Sequence, residues 1–432
     1  MTFDVFLHLV WHTMLGYVFY YPLFMSSLWI IGAIFFYFKN EKPYAKQIIP
    51  ALRPKEEWSG VSILIPCYNE GENAVETISY ALNVEYPEFE VIAINDGSKD
   101  NTLEILLRMA EQNPKLKVVN LAHNQGKALA LQAGALLAKH EYLVCIDGDA
   151  LLDKYCVYWM VKHFIRYPEV AAVTGNPRIR NRTTLLGKIQ VGEFSSIVGM
   201  IKRAQRSFGR IFTVSGVITG FRKAAVYDVG YWSPDMLTED IDITWKLQRS
   251  GWDVRFEPRA LVWILMPETL SGLWKQRLRW AMGGTQVMFK NFKVLFMHKQ
   301  THLWGLMIEQ LLSILWAYSM ALVFLLWFIS LFVPFSYLMP MNSPVLPDQS
   351  SVILIGACLV QFGVSKWLDG HYDHGLGKNY FWMIWYPFAY WLLNLSTAIT
   401  ALPKVLLSKK GRARWVSPDR GAHQQLKKNQ KV

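Results

Sequence analysis

Asp147-Gly148-Asp149 places two carboxylates one glycine apart, directly after the apolar run 142–146. Like charges that close repel unless a cation or hydrogen-bond donors neutralise them. Hard oxygen ligands suit Mg2+ or Mn2+, ions that also bind substrate phosphates, so Asp147 and Asp149 are the candidate metal ligands. Pro66-Cys67-Tyr68-Asn69-Glu70 and Asn95-Asp96-Gly97-Ser98 follow two other apolar runs. Alone, each is ordinary turn chemistry; beside the D-x-D, Asp96 gains a ligand-binding reading. Asn124-Gln125-Gly126-Lys127 opens a helical pattern, where backbone N–H groups and the Lys127 ammonium both suit a phosphate. A solvated lysine is the plainer alternative, although the helix dipole disfavours a cation there. The segment lacks the glycine-rich P-loop pattern, which gives an ATPase no support.

Two further segments extend the chemistry. In Thr238-Glu239-Asp240, Thr238 suits a helix cap and acids in a first turn are structurally normal; the functional reading makes Asp240 a general base. In Trp274-Lys275-Gln276-Arg277-Leu278-Arg279-Trp280, residues 276, 279 and 280 share one helix face. A guanidinium clamps a diphosphate and an indole offers a flat face to a sugar. A basic, aromatic helix also suits lipid headgroups, and both roles are expected here.

The elements that must carry these residues alternate. Strand-like runs at 61–65, 90–94, 117–121 and 142–146 are separated by helical patterns near 74–82, 103–111 and 126–139. That rhythm predicts a parallel sheet covered by helices, with ligands at the carboxyl ends of the strands, where the motifs fall.

The flanks have another character. Of 432 residues, 52% are hydrophobic and 18% charged, and mean hydropathy is +0.15, which speaks against a wholly soluble enzyme. Stretches 5–38, 310–347, 349–365 and 379–403 contain no Asp, Glu, Lys or Arg. A bilayer core takes about 20 apolar residues. The first predicts one span ending near 38 with 5–15 interfacial, the second a span over about 311–333; the third is short, and the fourth is long enough. Lys39, Lys42, Lys46, Arg53 and Lys55 follow the first span, whereas 336–350 has only Asp348, which puts the middle of the chain in the cytoplasm. Of the net charge of +12, nine basic residues from Lys404 onward, opposed by Asp419 alone, carry most. Such a tail reads as a cytoplasmic membrane flank rather than a nucleic-acid arm. Four full crossings would leave it outside, so one of the last two stretches is expected to be re-entrant or interfacial. The expected divisions are 1–40, 41–268, 269–305, 306–403 and 404–432. Four scattered cysteines form neither a disulfide framework nor a zinc site, and no cleavable signal peptide is evident.

Taken in order, Asp96, Asp147 and Asp149, Asp240, and Gln276, Arg279 and Trp280 resemble the motif series of the processive family-2 glycosyltransferases, over about 61–280. Segments 173–180, 212–216 and 412–420 are similar to the branch that makes poly-β-1,6-N-acetyl-D-glucosamine. The resemblance implies a GT-A-like (Rossmann-like) cytoplasmic domain flanked by transmembrane helices in a bacterial inner membrane. It implies processive, inverting transfer of N-acetylglucosamine from UDP-GlcNAc to a growing biofilm exopolysaccharide, with export. It also implies a small membrane partner subunit and activation by cyclic di-GMP. Carried onto this chain, it makes Pro66, Tyr68, Glu70, Asp96, Lys127, Asp147, Gln276 and Arg279 bind the nucleotide sugar. Asn176, Arg178 and Trp280 would bind the acceptor, Asp147 and Asp149 the Mg2+ or Mn2+, and Asp240 would be the base. The N-terminal apolar region is shorter than the two leading spans associated with the family. Chitin- or hyaluronan-type synthesis and a non-catalytic membrane scaffold are the alternatives. Transport is disfavoured by the scarcity of ionisable residues in the spans.

Overall fold

A computed structural model describes residues 3–44, 58–332, 349–408 and 411–412. Lys46, Arg53 and Lys55, the loop at 336–348, and the tail motif beyond Arg412 with its basic residues lie outside the described residues.

The first helix, α1 (Phe3–Phe36), leads into the sheet-forming part of the chain. There β1 (Val61–Cys67), α2 (Ala74–Leu82), β2 (Phe89–Asp96), α3 (Thr102–Gln112), β3 (Leu116–Leu121), α4 (Lys127–Leu137) and β4 (Tyr142–Ile146) alternate as the hydrophobic rhythm requires. They are followed by β5 (Leu151–Leu152), α5 (Cys156–Arg166), β6 (Val170–Ile179), α6 (Leu185–Phe194), α7 (Ile201–Phe208), β7 (Ile218–Arg222), α8 (Lys223–Asp228), α9 (Glu239–Arg249) and β8 (Asp253–Ile264). The chain closes with α10 (Leu270–Asn291), α11 (Trp304–Ser330), α12 (Gln349–Asp369) and α13 (Tyr386–Leu407).

The strands form one eight-stranded sheet in the order β3-β2-β1-β4-β7-β6-β8-β5. The first four are parallel, as the alternation predicts; β7 runs antiparallel to both β4 and β6, so the sheet is mixed. Every residue of β1 and β2 is buried, because helices cover both faces. Ile63 and Ile65 pack with Ile78 of α2 and Leu106 of α3, while Leu64 faces Leu131 of α4. Helix packing on both faces leaves the carboxyl ends of β1, β2 and β4 open at one edge, with the order turning at β1 and β4.

Among the described residues, four helices are long and apolar enough to cross a bilayer: His8–Tyr44, His298–Ser330, Gln349–Asp369 and Tyr390–Leu407. The chain is a membrane protein. Residues 5–15, expected to lie apart from the first span, are instead part of one continuous helix with Pro22 inside it. At about 1.5 Å per residue, its 34 residues run about 51 Å. Glycine at 32 lets α1 lie directly on α7, since a Cβ there would sit 2.5 Å from the Phe208 ring. A buried ionic knot joins these helices to the sheet. The guanidinium of Arg203 on α7 donates to Glu41 at 2.6 and 3.0 Å and to Asp369, the last residue of α12, at 2.7 Å. Tyr372 donates to Glu41 at 2.6 Å. Near the start of α13, Tyr390 reaches the Leu186 carbonyl of α6, and beyond its end Arg412 reaches Gln125. The start of α13 therefore meets α6, while its later turns pack on α11, where Tyr318 donates to the Ile399 carbonyl.

Candidate active site

The loops at the ends of β1 and β2 are laced together. Asn69, in a left-handed turn at φ +53, donates from its backbone to Ser98, while Lys99 donates to the Asn69 side chain. Pro66 is buried on β1, and Tyr68 stands half-buried beyond it. Glu70 is buried; its carboxylate accepts from Asn73 and its carbonyl starts α2. Gly148 presses against this wall, since a Cβ there would lie 3.0 Å from Glu70 and 3.1 Å from the Pro66 carbonyl.

Asp96 is fully buried, and its oxygens accept from the backbone N–H groups of Gln125 at 2.7 Å and Gly126 at 2.9 Å. Burial raises its pKa, although those two hydrogen bonds favour the ionised form. Asp96 thereby shapes the 124–126 backbone at the start of α4. That start presents Lys127 to the centre of the site. Its ammonium lies 2.5 Å from Asp147, 3.1 Å from Glu239 and 2.9 Å from the Gly216 carbonyl. Burial opposes its charge, but Asp147 and Glu239 outweigh burial and raise its pKa. The expected phosphate lysine is thus the counter-ion of the acidic cluster in this state. Asp149, after Gly148, is buried beside it.

Asp240 sits in the first turn of α9, and its Oδ2 accepts from the Gly216 N–H at 3.1 Å. Burial and neighbouring Glu239 push its pKa up to about 6, against the opposing pull of Lys127 and Arg279. A carboxylate titrating there suits a general base near neutral pH. Thr238, expected to cap α9, makes no cap hydrogen bond; it packs on α10 instead. A Cβ at Gly283 would lie 2.1 Å from its Oγ1, so only glycine permits that approach. The same helix carries Gln276, Arg279 and Trp280. Arg279 donates to the Leu237 carbonyl at 3.5 Å, near enough for its charge to act on Asp240. Gln276 lies near Met266, and its side-chain oxygen has no hydrogen-bond partner among the described residues.

A sequence profile described as glycosyltransferase like family 2 matches residues 59–283, which hold all of these motifs. The chain belongs to glycosyltransferase family 2. A poly-beta-1,6-N-acetyl-D-glucosamine synthase of Staphylococcus epidermidis is 42% identical over 409 residues, covering 94% of this chain and 98% of that protein. The synthase of the same name from Staphylococcus aureus is 42% identical over 407 residues. A mannosyltransferase from Pyrobaculum calidifontis, solved with GDP-Man and Mn2+, superposes with a TM-score of 0.56 at 18% identity over 90% of this chain and 99% of that one. The family-2 glycosyltransferase here thus has the GT-A-like fold expected from its motifs.

Two expected acceptor residues of this glycosyltransferase are placed elsewhere. Asn176 is fully buried on β6 and donates to the Pro258 carbonyl at 3.0 Å, at the irregular stretch between β6 and β8. Arg178 is 3% exposed and pairs with Asp369 at 2.8 Å. Both are buried away from the surface in this arrangement, where Arg178 braces the junction with α12 and the Asn176 Oδ1 has no hydrogen-bond partner among the described residues. Partners of the retained residues also went unread in the sequence. Arg277, buried and 2.6 Å from Glu193, sets its guanidinium 4.4 Å from the Trp280 ring centroid. It stands inside the segment 274–280, so its cation next to an indole was the available signal. Gly216 closes the segment 212–216, but nothing local shows that its peptide would meet both Lys127 and Asp240.

Proposed function

We propose that this enzyme transfers N-acetylglucosamine from UDP-GlcNAc to a growing β-1,6-linked poly-N-acetylglucosamine chain, with inversion and processively, and passes the chain across the bacterial inner membrane. The observation that carries the reading is Asp240, titrating near 6 and held by the Gly216 peptide next to the Lys127–Asp147 pair. The linkage follows the names of the staphylococcal relatives.

In this reading the donor lies over the ends of β1, β2 and β4, with Tyr68 against the uracil and the 124–127 turn toward the phosphates. Asp147 and Asp149 fit a divalent cation, Mg2+ or Mn2+. Their carboxylates are hard ligands of the kind such an ion takes, and Asp147 already has a cation, the Lys127 ammonium, at 2.5 Å. When bound, such a divalent cation neutralises charge on the departing diphosphate. Asp240 takes the proton of the acceptor hydroxyl as that oxygen forms its bond to the anomeric carbon. The bond from that carbon to the diphosphate oxygen breaks on the opposite side, and UDP leaves with the electron pair. A single displacement turns an α-linked donor into a β product. Gln276 and Arg279 steady the diphosphate, and Trp280, backed by Arg277, cradles the acceptor sugar.

The catalytic half faces the cytoplasm in this reading, supported by Lys39 and Lys42 after the first span. The contact of Arg412 with Gln125 favours a basic tail on the catalytic side of the membrane. A small membrane partner subunit and cyclic di-GMP activation belong to the same reading.

The test is UDP release and polymer formation in membranes containing this chain, with UDP-GlcNAc and Mg2+ or Mn2+, with and without cyclic di-GMP and the partner. Product cut by a β-1,6-specific hexosaminidase and resistant to chitinase is the expected result. Cutting by chitinase alone would keep the mechanism and overturn the linkage. Absence of UDP release under every condition would favour a scaffold.

A further inference from the structure

Lys202 on α7 is buried, with 5% of its surface exposed, in a segment that no motif above includes. Its nitrogen donates to Ser215 Oγ at 2.6 Å and to Thr174 Oγ1 at 3.1 Å. Thr174 Oγ1 also accepts from the Ser215 backbone at 2.8 Å, so lysine, strand and loop close a triangle. The next peptide is that of Gly216, whose N–H holds Asp240 and whose carbonyl holds Lys127. From the other side, Val214 donates to Thr244, whose hydroxyl donates to the Asp240 carbonyl at 2.6 Å. A second residue of α7, Gln205, accepts from the Phe212 backbone at 3.0 Å. One turn of α7 therefore grips the 212–216 loop at both ends. The neighbouring Arg203 ties the same turn to Glu41 and Asp369.

A buried amine is costly unless its hydrogen bonds are met. Here two hydroxyl acceptors are supplied, against the three donors of an ammonium and the two of a neutral amine. Burial accordingly pushes the Lys202 pKa down to about 7, opposed by the one carboxylate that faces it, Asp240. Asp240 in turn faces Glu239, Lys127 and Arg279, while Arg203 spends its charge on Glu41 and Asp369. Nothing in this arrangement brings Lys202 to the acceptor or the donor.

We propose that Lys202 is a positioning residue for glycosyl transfer, clamping Ser215 to Thr174 so that the Gly216 peptide holds Asp240 and Lys127 in register. The inference rests on Asp240 being the base. It also explains why segments 173–180 and 212–216, which share no local chemistry, belong together.

The test uses the full chain in membranes, with its partner where activity requires one. Lys202→Met and Lys202→Gln are compared with wild type, and Asp240→Asn runs alongside. Lys202→Met is expected to lower kcat about 10²-fold, the scale of a misplaced catalytic group. KM for UDP-GlcNAc should stay within about fivefold, because Lys127 keeps Asp147 and Glu239. Removing a cation that faces Asp240 should move the acid limb of the kcat profile to higher pH. Lys202→Gln, which keeps a donor for Ser215, should recover about tenfold of the lost kcat at an unchanged melting temperature. Wild-type kcat and pH profile in Lys202→Met would overturn the proposal. So would equal losses of kcat, UDP binding and melting temperature in both variants, the signature of a merely structural lysine. Elongation by Asp240→Asn would instead show that the base is misassigned, whatever the lysine variants do.

Discussion

At the ends of β2 and β4 the charged residues stand at or just past the last strand position, as Asp96, Asp147 and Asp149 do; Asp96 holds the start of α4 and Asp147 pairs with Lys127. On β6 the polar residues lie within the strand, and Asn176 and Arg178 are spent on Pro258 and Asp369. Both halves belong to one sheet, and both drew attention for motif-like spacing. The parallel half spends its carboxylates at the strand ends, Asp96 on the 124–126 turn and Asp147 on Lys127, so they organise the candidate site itself. The mixed half has membrane helices docked on it, so its charges serve to hold those helices in place. Proximity to other motifs in the sequence therefore does not make a polar residue part of the chemistry; the neighbour that satisfies it does.

The sharpest break between the halves is kinetic against thermodynamic. Asp240→Asn should cut UDP release by about 10³-fold or more while UDP binding and melting temperature stay near wild type, because only the proton acceptor is lost. Arg203→Met should act the other way, destabilising the detergent-solubilised chain by about 3–5 kcal/mol through the buried carboxylates it strands. A thermal melt checks it, and wild-type stability would mean the ionic knot is not what joins the halves. Gly283→Ala probes the seam between them: its Cβ must displace Thr238, and kcat should fall about 10²-fold with UDP binding retained. The smallest effect is set by pH. Asp240 must be ionised to act, and its pKa is raised to about 6, so rate is complete above that value and is lost as pH falls through it. A kcat profile with its acid limb near 4, where an unperturbed aspartate titrates, would remove the environment argued for this residue.

The parallel half was legible because its signals are local. The helix read near 74–82 has those bounds, and the strand at 142–146 starts and stops where its apolar run does. The order of acidic motifs likewise placed Asp240 with the D-x-D. What escaped depends on partners far away in the chain. Arg203 finds Asp369 across 166 residues and Glu41 across 162, and no periodicity in 201–208 announces either. The pairing of Arg178 with Asp369 escaped for the same reason, since that partner arrives only with the end of α12. Thr238 has every local mark of a helix cap, yet the closeness of Gly283 draws it to another helix. Residues 5–15 were also expected, from length alone, to lie interfacially apart from the first span, whereas they continue into it as one helix.

The seating of α7 has a consequence for anyone who would excise the catalytic part. The family profile spans 59–283, which suggests a self-contained module that could be expressed by itself. Cutting there would discard Glu41, Asp369 and Tyr372, while keeping Arg203 and Arg178 in an interior that was built around them. The fragment would present two orphaned guanidiniums at a newly exposed apolar face and lose the seat of the helix that grips the base loop. Homology marks where the reaction is encoded; the smallest piece able to perform it extends into the lipid.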